Sequence, residues 1–555
     1  MAIGSFPSQL MTDLAIQRAG ASLLSLDGHF EDHEGPGYVL TDYQFSLIEK
    51  YASRLRSLGH DDYWAWSELF YCMGTFPELE TARIWDESGP DEWDECIDTP
   101  RLQSLYMNNV LIPFYAPALR YLRMDMDNVH WRSGRDVYGS YEPEPDSCEA
   151  IPRVFPTREF IAFLQRSPGL ERLIITDMPL LLSDKLPDVS ELHAELPNLR
   201  GMHLGGKAQA MGDLWTRLRM PDDTRIFIDA DHTETGVGYG GHTFWNLHTD
   251  LSMAIKDQVK CRVYDSLRLA MTPSYDLILQ MWSSDVYNGT GLELSASLEP
   301  SESTLGPAFT CRIPLGTREL LEQFTDQEET VRSRDPYNWI EDPFLRFQNV
   351  MATYFYREMT RLLIYVSSST LRHIDLADMP FIKTIRHIGG YGVGVGHTEK
   401  PDRLLLRYLL SSPERSDPPR RNVVLTGEMI YRLLKSDGDR LHDYLPKSVT
   451  ELTVVDFPCA SFPHSLRYDE DYNAGAWGVL LEVLKWYFNQ WQTCLSLKLA
   501  ESTSEMSNME RSEEPEYVHT IPESYEDAVR AVTGKGYQRI APFVTSFEDL
   551  RVHHT

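Results

Sequence analysis

Five stretches of the chain share one pattern, Pro-x-Leu-x-x-apolar-x-apolar, and an internal repeat constrains architecture before any local propensity does. One is Pro77-Glu78-Leu79-Glu80-Thr81-Ala82-Arg83-Ile84; the others lie at 100–107, 117–124, 168–175 and 197–204. Strand side chains alternate with period two, so the two apolar positions after the leucine share one face. The leucine joins the same core from the preceding turn. Proline cannot continue a helix and biases its predecessor away from helical geometry, so the pattern places a helix end before it. Residues 160–167 fit such a helix, with Phe160, Phe163 and Leu164 on one face, and so do residues 67–73. One unit therefore reads helix, proline turn, strand.

The first leucines are 23 residues apart at Leu79–Leu102, 17 at Leu102–Leu119 and 29 at Leu170–Leu199. These values straddle the roughly 20–29-residue period of leucine-rich repeats. Leu119 and Leu170 are 51 apart, room for two units with an acidic, proline-rich loop inserted at 139–152. Further copies without the proline are expected at 371–376, 449–454 and 547–552, with an early one at 55–58 and a strand-like alternation at 494–499. Arg225-Ile226-Phe227-Ile228-Asp229, 276–282 and 292–298 read as strands, the last two joined through Asn288-Gly289. The expected fold class is α/β: an irregular leucine-rich-repeat solenoid, with a curved parallel sheet, outer helices and a β-rich middle. The expected domains are an N-terminal cap over 1–54, repeat units over 55–220 and an irregular β-rich segment or degenerate repeats over 221–345. Repeat units follow over 346–500, an acidic disordered loop over 501–526 and a C-terminal repeat or cap over 527–555.

Composition narrows the partners. Lys and Arg total 52 against 83 Asp and Glu, a formal charge of −31, which disfavours a nucleic-acid backbone or an anionic lipid surface as ligand. The seven cysteines, Cys72, Cys96, Cys148, Cys261, Cys311, Cys459 and Cys494, are scattered without metal-ligand spacing, which fits a reduced cytoplasmic or nuclear protein. No basic stretch followed by an apolar run opens the chain, and no apolar run reaches the ~18 residues of a membrane helix.

Motifs for catalysis are weak. Residues 201–208 approach a P-loop, but Ala208 stands where a Ser or Thr would hold magnesium, and the repeat places a strand across the glycines. Residues 236–241 satisfy G-x-G-x-x-G, yet residues 231–235 separate them from the strand a dinucleotide site needs. The glycine-rich 389–396 does not match that fingerprint. His232, His242 and His248 read as loop residues, and 86–95 as a solvated acidic face without an EF-hand's glycine and bidentate glutamate. No cofactor, metal or catalytic residue is expected.

Residues 14–26, Leu14-Ala15-Ile16-Gln17-Arg18-Ala19-Gly20-Ala21-Ser22-Leu23-Leu24-Ser25-Leu26, resemble the start of the repeat region in fungal F-box/leucine-rich-repeat proteins. Ser167-Pro168-Gly169-Leu170-Glu171-Arg172-Leu173 and Ala116-Pro117-Ala118-Leu119-Arg120-Tyr121-Leu122 are similar to that family too. The F-box itself, with its Leu-Pro-x-Glu-type opening and Cys-Arg-x-Trp-like helix, is not found. The resemblance implies a substrate receptor of a cullin–RING ubiquitin ligase, with ubiquitin-ligase components as partners if an F-box lies upstream. The chain itself supports the receptor half: a non-enzymatic module for an unknown protein ligand. The alternatives are an interaction scaffold with no ubiquitin role, and a nucleotide-binding enzyme using 201–208 or 236–241.

Residues between the buried apolar positions are expected on the concave face: Ser104, Tyr106 and Asn108; Tyr121, Arg123 and Asp125; Arg172, Ile174 and Thr176; His373 and Asp375. Tyr106, Asn108, Tyr121, Arg123, Arg172 and Asp375 are the candidate binding residues, because tyrosine and arginine anchor interfaces. Leu173→Asp places an uncompensated charge in the core and should cost about 3 kcal/mol or more, unfolding at least its own repeat. A circular dichroism melt identical to wild type would contradict the register.

Overall fold

The repeated proline has a defined structural task. In the computed structural model it is the second residue of a β-turn that closes on the first leucine. Leu79 N donates to Phe76 O at 3.3 Å, Leu102 N to Thr99 O at 3.1 Å and Leu119 N to Ala116 O at 3.0 Å. Leu170 N to Ser167 O and Leu199 N to Leu196 O, both at 3.1 Å, repeat the arrangement. Proline pre-sets φ for that turn position and has no amide to waste. All five leucines are buried.

The next two amides of each unit then converge on one carbonyl of the unit before. Gln103 N and Ser104 N donate to Glu80 O at 2.8 and 3.1 Å; Arg120 N and Tyr121 N donate to Gln103 O at 2.8 and 2.9 Å. Glu171 N and Arg172 N donate to Arg120 O at 2.8 and 2.9 Å, and Arg200 N and Gly201 N to Glu171 O at 2.8 and 3.1 Å. Each strand thus begins in a position dictated by its predecessor.

The described residues are 8–27, 42–60, 73–85, 96–108, 111–112, 114–126, 157–178, 192–231, 251, 253–256, 264–271, 276–285, 308–314, 371–378, 420–427, 430, 445–455, 470–500 and 536–550. They belong to two compact units, Met1–Thr233 with Leu247–Ala254, and Glu234–Asn246 with Ile255–Thr555. The fold is mixed α/β, with a parallel-rich sheet, few helices among the described residues and no closed barrel.

The first unit opens with helix α1 (Gln9–Ala19), capped by Ser8, whose Oγ accepts from Met11 N at 3.4 Å, and stopped by Gly20 at φ 56°. Strand β1 (Leu24–Asp27), helix α2 (Asp42–Tyr51) and strand β2 (Leu55–His60) follow. Strands β3 (Thr81–Trp85), β5 (Ser104–Asn108), β7 (Tyr121–Asp125), β8 (Arg172–Met178), β10 (Gly201–Lys207) and β12 (Arg225–Asp231) continue the sheet. All these neighbours are parallel and in sequence order. Leu58, Ala82, Leu105, Leu122, Leu173, Met202 and Ile226 form one aligned, buried row.

Among the described residues, helical structure precedes two of these five prolines: Met73 before Pro77, and a full helix before Pro168. Helix α3 (Thr157–Gln165) leads to Pro168 and buries Phe160, Phe163 and Leu164. Two-residue strands lead to the others: β4 (Ile97–Asp98) before Pro100, β6 (Phe114–Tyr115) before Pro117 and β9 (Ala194–Glu195) before Pro197. β4 pairs with β6, and β9 with β11 (Leu218–Arg219). Seven residues separate Asn108 from Ala116, too few for an average helix of roughly three turns, while a short strand fits. Of the helix expected over 67–73, only Met73 lies among the described residues, and it is helical.

Two further expectations are corrected. β7 pairs directly with β8, Tyr121 opposite Arg172, so the 51-residue interval adds no strand between them. The last copy, placed at 547–552, is shifted: strand β20 (Val544–Asp549) ends before Leu550, which is 49% exposed. The loops at 139–152, 236–241, 389–396 and 501–526, the three histidines, the acidic run 86–95 and the strand at 292–298 lie outside the described residues.

The second unit begins with an antiparallel meander. Strand β13 (Ser266–Met271) pairs with β14 (Asp276–Trp282), which pairs with β15 (Phe309–Pro314). β13 then pairs in parallel with β16 (His373–Asp378), followed by β17 (Arg421–Thr426), β18 (Val449–Val455), β19 (Leu495–Ala500) and β20. The carbonyl device recurs: Arg372 N and His373 N donate to Asp265 O at 2.6 and 3.0 Å. Among the described residues helix α5 (Glu470–Trp491) is the longest in this unit; in the first unit, α4 (Ala208–Trp215) follows β10 without a break. Tyr487 donates to Val449 O at 2.6 Å and Trp491 Nε1 to Leu445 O at 3.0 Å.

Gly536 lies flat on the buried Trp477 indole, and a Cβ there would sit 2.3 Å from Cδ2. A Cβ added at Gly478, in α5, would meet nothing within 4 Å beyond the helix's own backbone. Gly536→Ala should therefore destabilise by about 1–3 kcal/mol through overpacking. Gly478→Ala should stabilise by about 0.5–1 kcal/mol through helix propensity. Urea unfolding of the two variants checks the opposite signs.

Candidate functional site

Parallel pairing in register turns the alternation within each strand into rows across strands. Opposite the buried row, the first front-facing row runs Ser57, Thr81, Ser104, Tyr121, Arg172, Gly201 and Arg225. The second runs Gly59, Arg83, Tyr106, Arg123, Ile174, His203 and Phe227. Tyr106, Asn108, Tyr121, Arg123 and Arg172 thus share one face of β5, β7 and β8, half-buried by their neighbours.

Tyr106 is the centre of a compact polar group. Arg83 Cζ lies 4.9 Å from its ring centroid and Arg123 Cζ 5.4 Å, so guanidinium groups from both adjacent strands approach the ring. Such contacts contribute about 0.5–1 kcal/mol each when exposed and more when desolvated. Asn108 Nδ2 donates to the Tyr106 hydroxyl at 3.2 Å. Arg123 Nε donates to Asp125 Oδ2 at 3.0 Å, and Thr176 Oγ1 donates to Asp125 Oδ1 at 2.6 Å. Asp125 is buried and joins β7 to β8 through this hydroxyl.

Burial, then the Asp125 charge and its hydrogen bond, push the Tyr106 hydroxyl up to about 12. Burial works against the Arg123 charge, but Asp125 and then Tyr106 more than offset it and hold its pKa above the ordinary value. At neutral pH the Tyr106 phenol is therefore protonated, lying between two guanidinium groups. Farther along the second row, His203 meets Phe227 edge to face at 4.5 Å.

Asp375 belongs to the second unit and is described there. Its Oδ2 lies 3.9 Å from Arg268 Nε across the β13–β16 pair. Gln280 and Thr310, both buried, lie in the same row, and His373 neighbours the Trp282 ring at 6.0 Å. Burial depresses the His373 pKa against the opposing pull of Asp375. Lys498 is held by Glu451 at 3.2 Å and Glu548 at 3.8 Å. Arg268 and Lys498 thus each have an acid beside them.

Sequence reasoning passed over Arg83, which the repeat itself places in the second row, and Arg225, the residue that opens β12. Arg268 and Gln280 were missed because their strands pair antiparallel to each other, outside the repeat. The glycines of 201–208 form strand β10 and run straight into α4; Leu204 is buried in the core and Ala208 is the first residue of the helix. Among the described residues no group of three or more His, Cys, Asp or Glu is arranged to hold a metal ion. No described helix is long and apolar enough to cross a membrane. No protein-family model, curated protein or solved structure matches the chain.

A phenol whose folded pKa exceeds its unfolded value of 10 stabilises fully below pH 10 and loses that contribution as pH rises towards 12. Stability of the wild type should therefore fall faster than that of Tyr106→Phe between pH 10 and 12. Urea midpoints at closely spaced pH values measure the difference, and equal slopes would place the Tyr106 hydroxyl in water.

Proposed function

We propose that the chain is a non-enzymatic protein-binding module on a leucine-rich-repeat solenoid, a curved parallel sheet with outer helices. In this reading it serves as the substrate-recognition part of an F-box-type receptor in a cullin–RING ubiquitin ligase, in the cytoplasm or nucleus. It requires no cofactor, and its partners are proteins and not nucleic acid or membrane. Recognition is by differential affinity alone.

One observation carries the reading. From β3 to β8 the front rows stack without a register shift and bring Arg83, Tyr106, Tyr121, Arg123 and Arg172 side by side. Tyrosine and arginine dominate interface energetics because they combine large contact area with directed hydrogen bonds. A rigid sheet holds them in place before a partner arrives, which lowers the ordering cost of association. The ubiquitin link rests on the resemblance of residues 14–26, 116–122 and 167–173 to fungal F-box/leucine-rich-repeat proteins.

Affinity capture tests both parts. Expressed with its upstream genomic reading frame, the protein should retain the cullin adaptor together with a substrate protein. Retention of a partner protein without the adaptor would sink the ligase reading and leave an interaction scaffold. ATP and NAD should leave the melting temperature unchanged. A reproducible rise would mark a native-state nucleotide site and overturn the non-enzymatic reading.

A further inference from the structure

The last described strand is finished differently from the first. β1 has β2 as its one described neighbour, yet its Leu24 and Leu26 are fully buried. β20 has β19 as its one described neighbour, and none of its six residues is buried. Phe547 stands opposite the fully buried Leu497 but is itself only half-buried, with the Tyr537 ring stacked on it at 4.8 Å. Tyr537 is 40% exposed, and Leu550, just past the strand, lies open as well. A terminal repeat ordinarily closes its core with a polar outer face. Here an aromatic pair stands at the edge instead.

We propose that β20 pairs edge to edge with β20 of a second copy of this chain, antiparallel about a two-fold axis at Phe547. The backbone admits this register. Leu550 N donates to Leu499 O at 2.7 Å, so by alternation the amides of Glu548 and Ser546 also turn towards β19. Those of Thr545, Phe547 and Asp549 turn to the outer side, where no described strand pairs. About that axis Phe547 meets Phe547 of the second copy, and Thr545 meets Asp549 of the second copy. Each such pair exchanges two main-chain hydrogen bonds, as an antiparallel ladder requires. The side chains agree. The two Phe547 rings meet, flanked by the two Tyr537 rings, on the face where β19 buries Leu495, Leu497 and Leu499. On the other face Glu548 meets Ser546 of the second copy, so no acid faces an acid. Centring the pair on Glu548 would set two glutamates opposite each other, which destabilises a sheet. Centring it on Ser546 would set Phe547 against Thr545 and lose the ring pair. The self-complementary register closes on two copies and leaves no edge strand to add a third there. It is independent of what the front face binds.

Sedimentation velocity of the full chain over about 1 to 100 µM should show a dimer that dissociates on dilution, as a small interface does. Thr545→Pro removes an outward amide and leaves the bonds to β19 in place, so it should raise the dimer dissociation constant about tenfold or more. Its melting temperature at the lowest concentration should match that of the wild type. Phe547→Cys sets two thiols at the axis with Cα atoms about 5.5 Å apart, inside disulfide range. Mild oxidation should then give a covalent dimer on a non-reducing gel that neither the wild type nor Ser546→Cys gives. Should Thr545→Pro melt lower, this crosslink decides alone. A chain that is monomeric at every concentration overturns the proposal. So does a dimer that is indifferent to Thr545→Pro and gives no crosslink through Phe547→Cys. Crosslinking through Ser546→Cys in place of Phe547→Cys overturns the axis at Phe547.

Discussion

The structure depends on a single carbonyl oxygen per unit. Glu80, Gln103, Arg120 and Glu171 each present a main-chain carbonyl that takes two amides from the next unit. Those two bonds fix where the next strand starts and which way its first side chain points. A one-residue slip would exchange core and front for the whole strand. The proline turn makes the geometry reproducible, because it delivers the leucine to the core and the following amides to the waiting carbonyl in one motion. Burial of the leucines then stabilises the arrangement by about 1.5–3 kcal/mol per side chain. Residues on the front face are where they are because of bonds made on the backbone, not because of their own interactions.

This division of labour explains why a polar front face can be held so firmly. Tyr106, Arg83 and Arg123 meet at 4.9 and 5.4 Å because their strands are registered, and Asp125 and Thr176 meet at 2.6 Å for the same reason. The cluster has little freedom to rearrange, and the Tyr106 hydroxyl keeps its proton well above neutral pH. In the second unit the same backbone device supports different chemistry. Asp265 accepts from Ser284 N at 2.7 Å and from the Ser266 hydroxyl at 2.8 Å while its carbonyl starts β16. Burial raises the cost of its charge, but the bonds from Ser284 and Ser266 more than offset it and hold the carboxyl below its usual range.

Much of the strand layout was legible in the sequence. Residues 104–108, 121–125, 172–178 and 201–207 carry a period-two alternation introduced by proline and leucine, and one backbone geometry satisfies both. The segments before Pro100, Pro117 and Pro197 were misread, because a proline excludes helix continuation without requiring that a helix came before. Ile97-Asp98 and Phe114-Tyr115 are too short to show any period. β17 escaped notice for a different reason: Arg421 and four of the five residues after it are buried, which erases the alternation. The site was half legible. Tyr106 and Arg123 follow from the repeat, one step apart in adjacent units. The Asp125–Thr176 bond does not, since it joins residues 51 positions apart in sequence. It requires knowing that β7 and β8 are direct neighbours in the sheet.

The contrast between Leu102–Leu119 and Leu119–Leu170, 17 residues against 51, has a consequence for how such a chain changes over generations. Closing a loop three times longer costs only about 1 kcal/mol more, by the logarithmic growth of loop entropy. A strand placed by two amides on a neighbour's carbonyl registers its start and is blind to the length of chain that delivered it. Descendants of this sequence are therefore free to gain or lose whole segments between strands while the strands themselves keep step. Length becomes the variable that inheritance can spend, and the spacing of the rows the quantity it conserves.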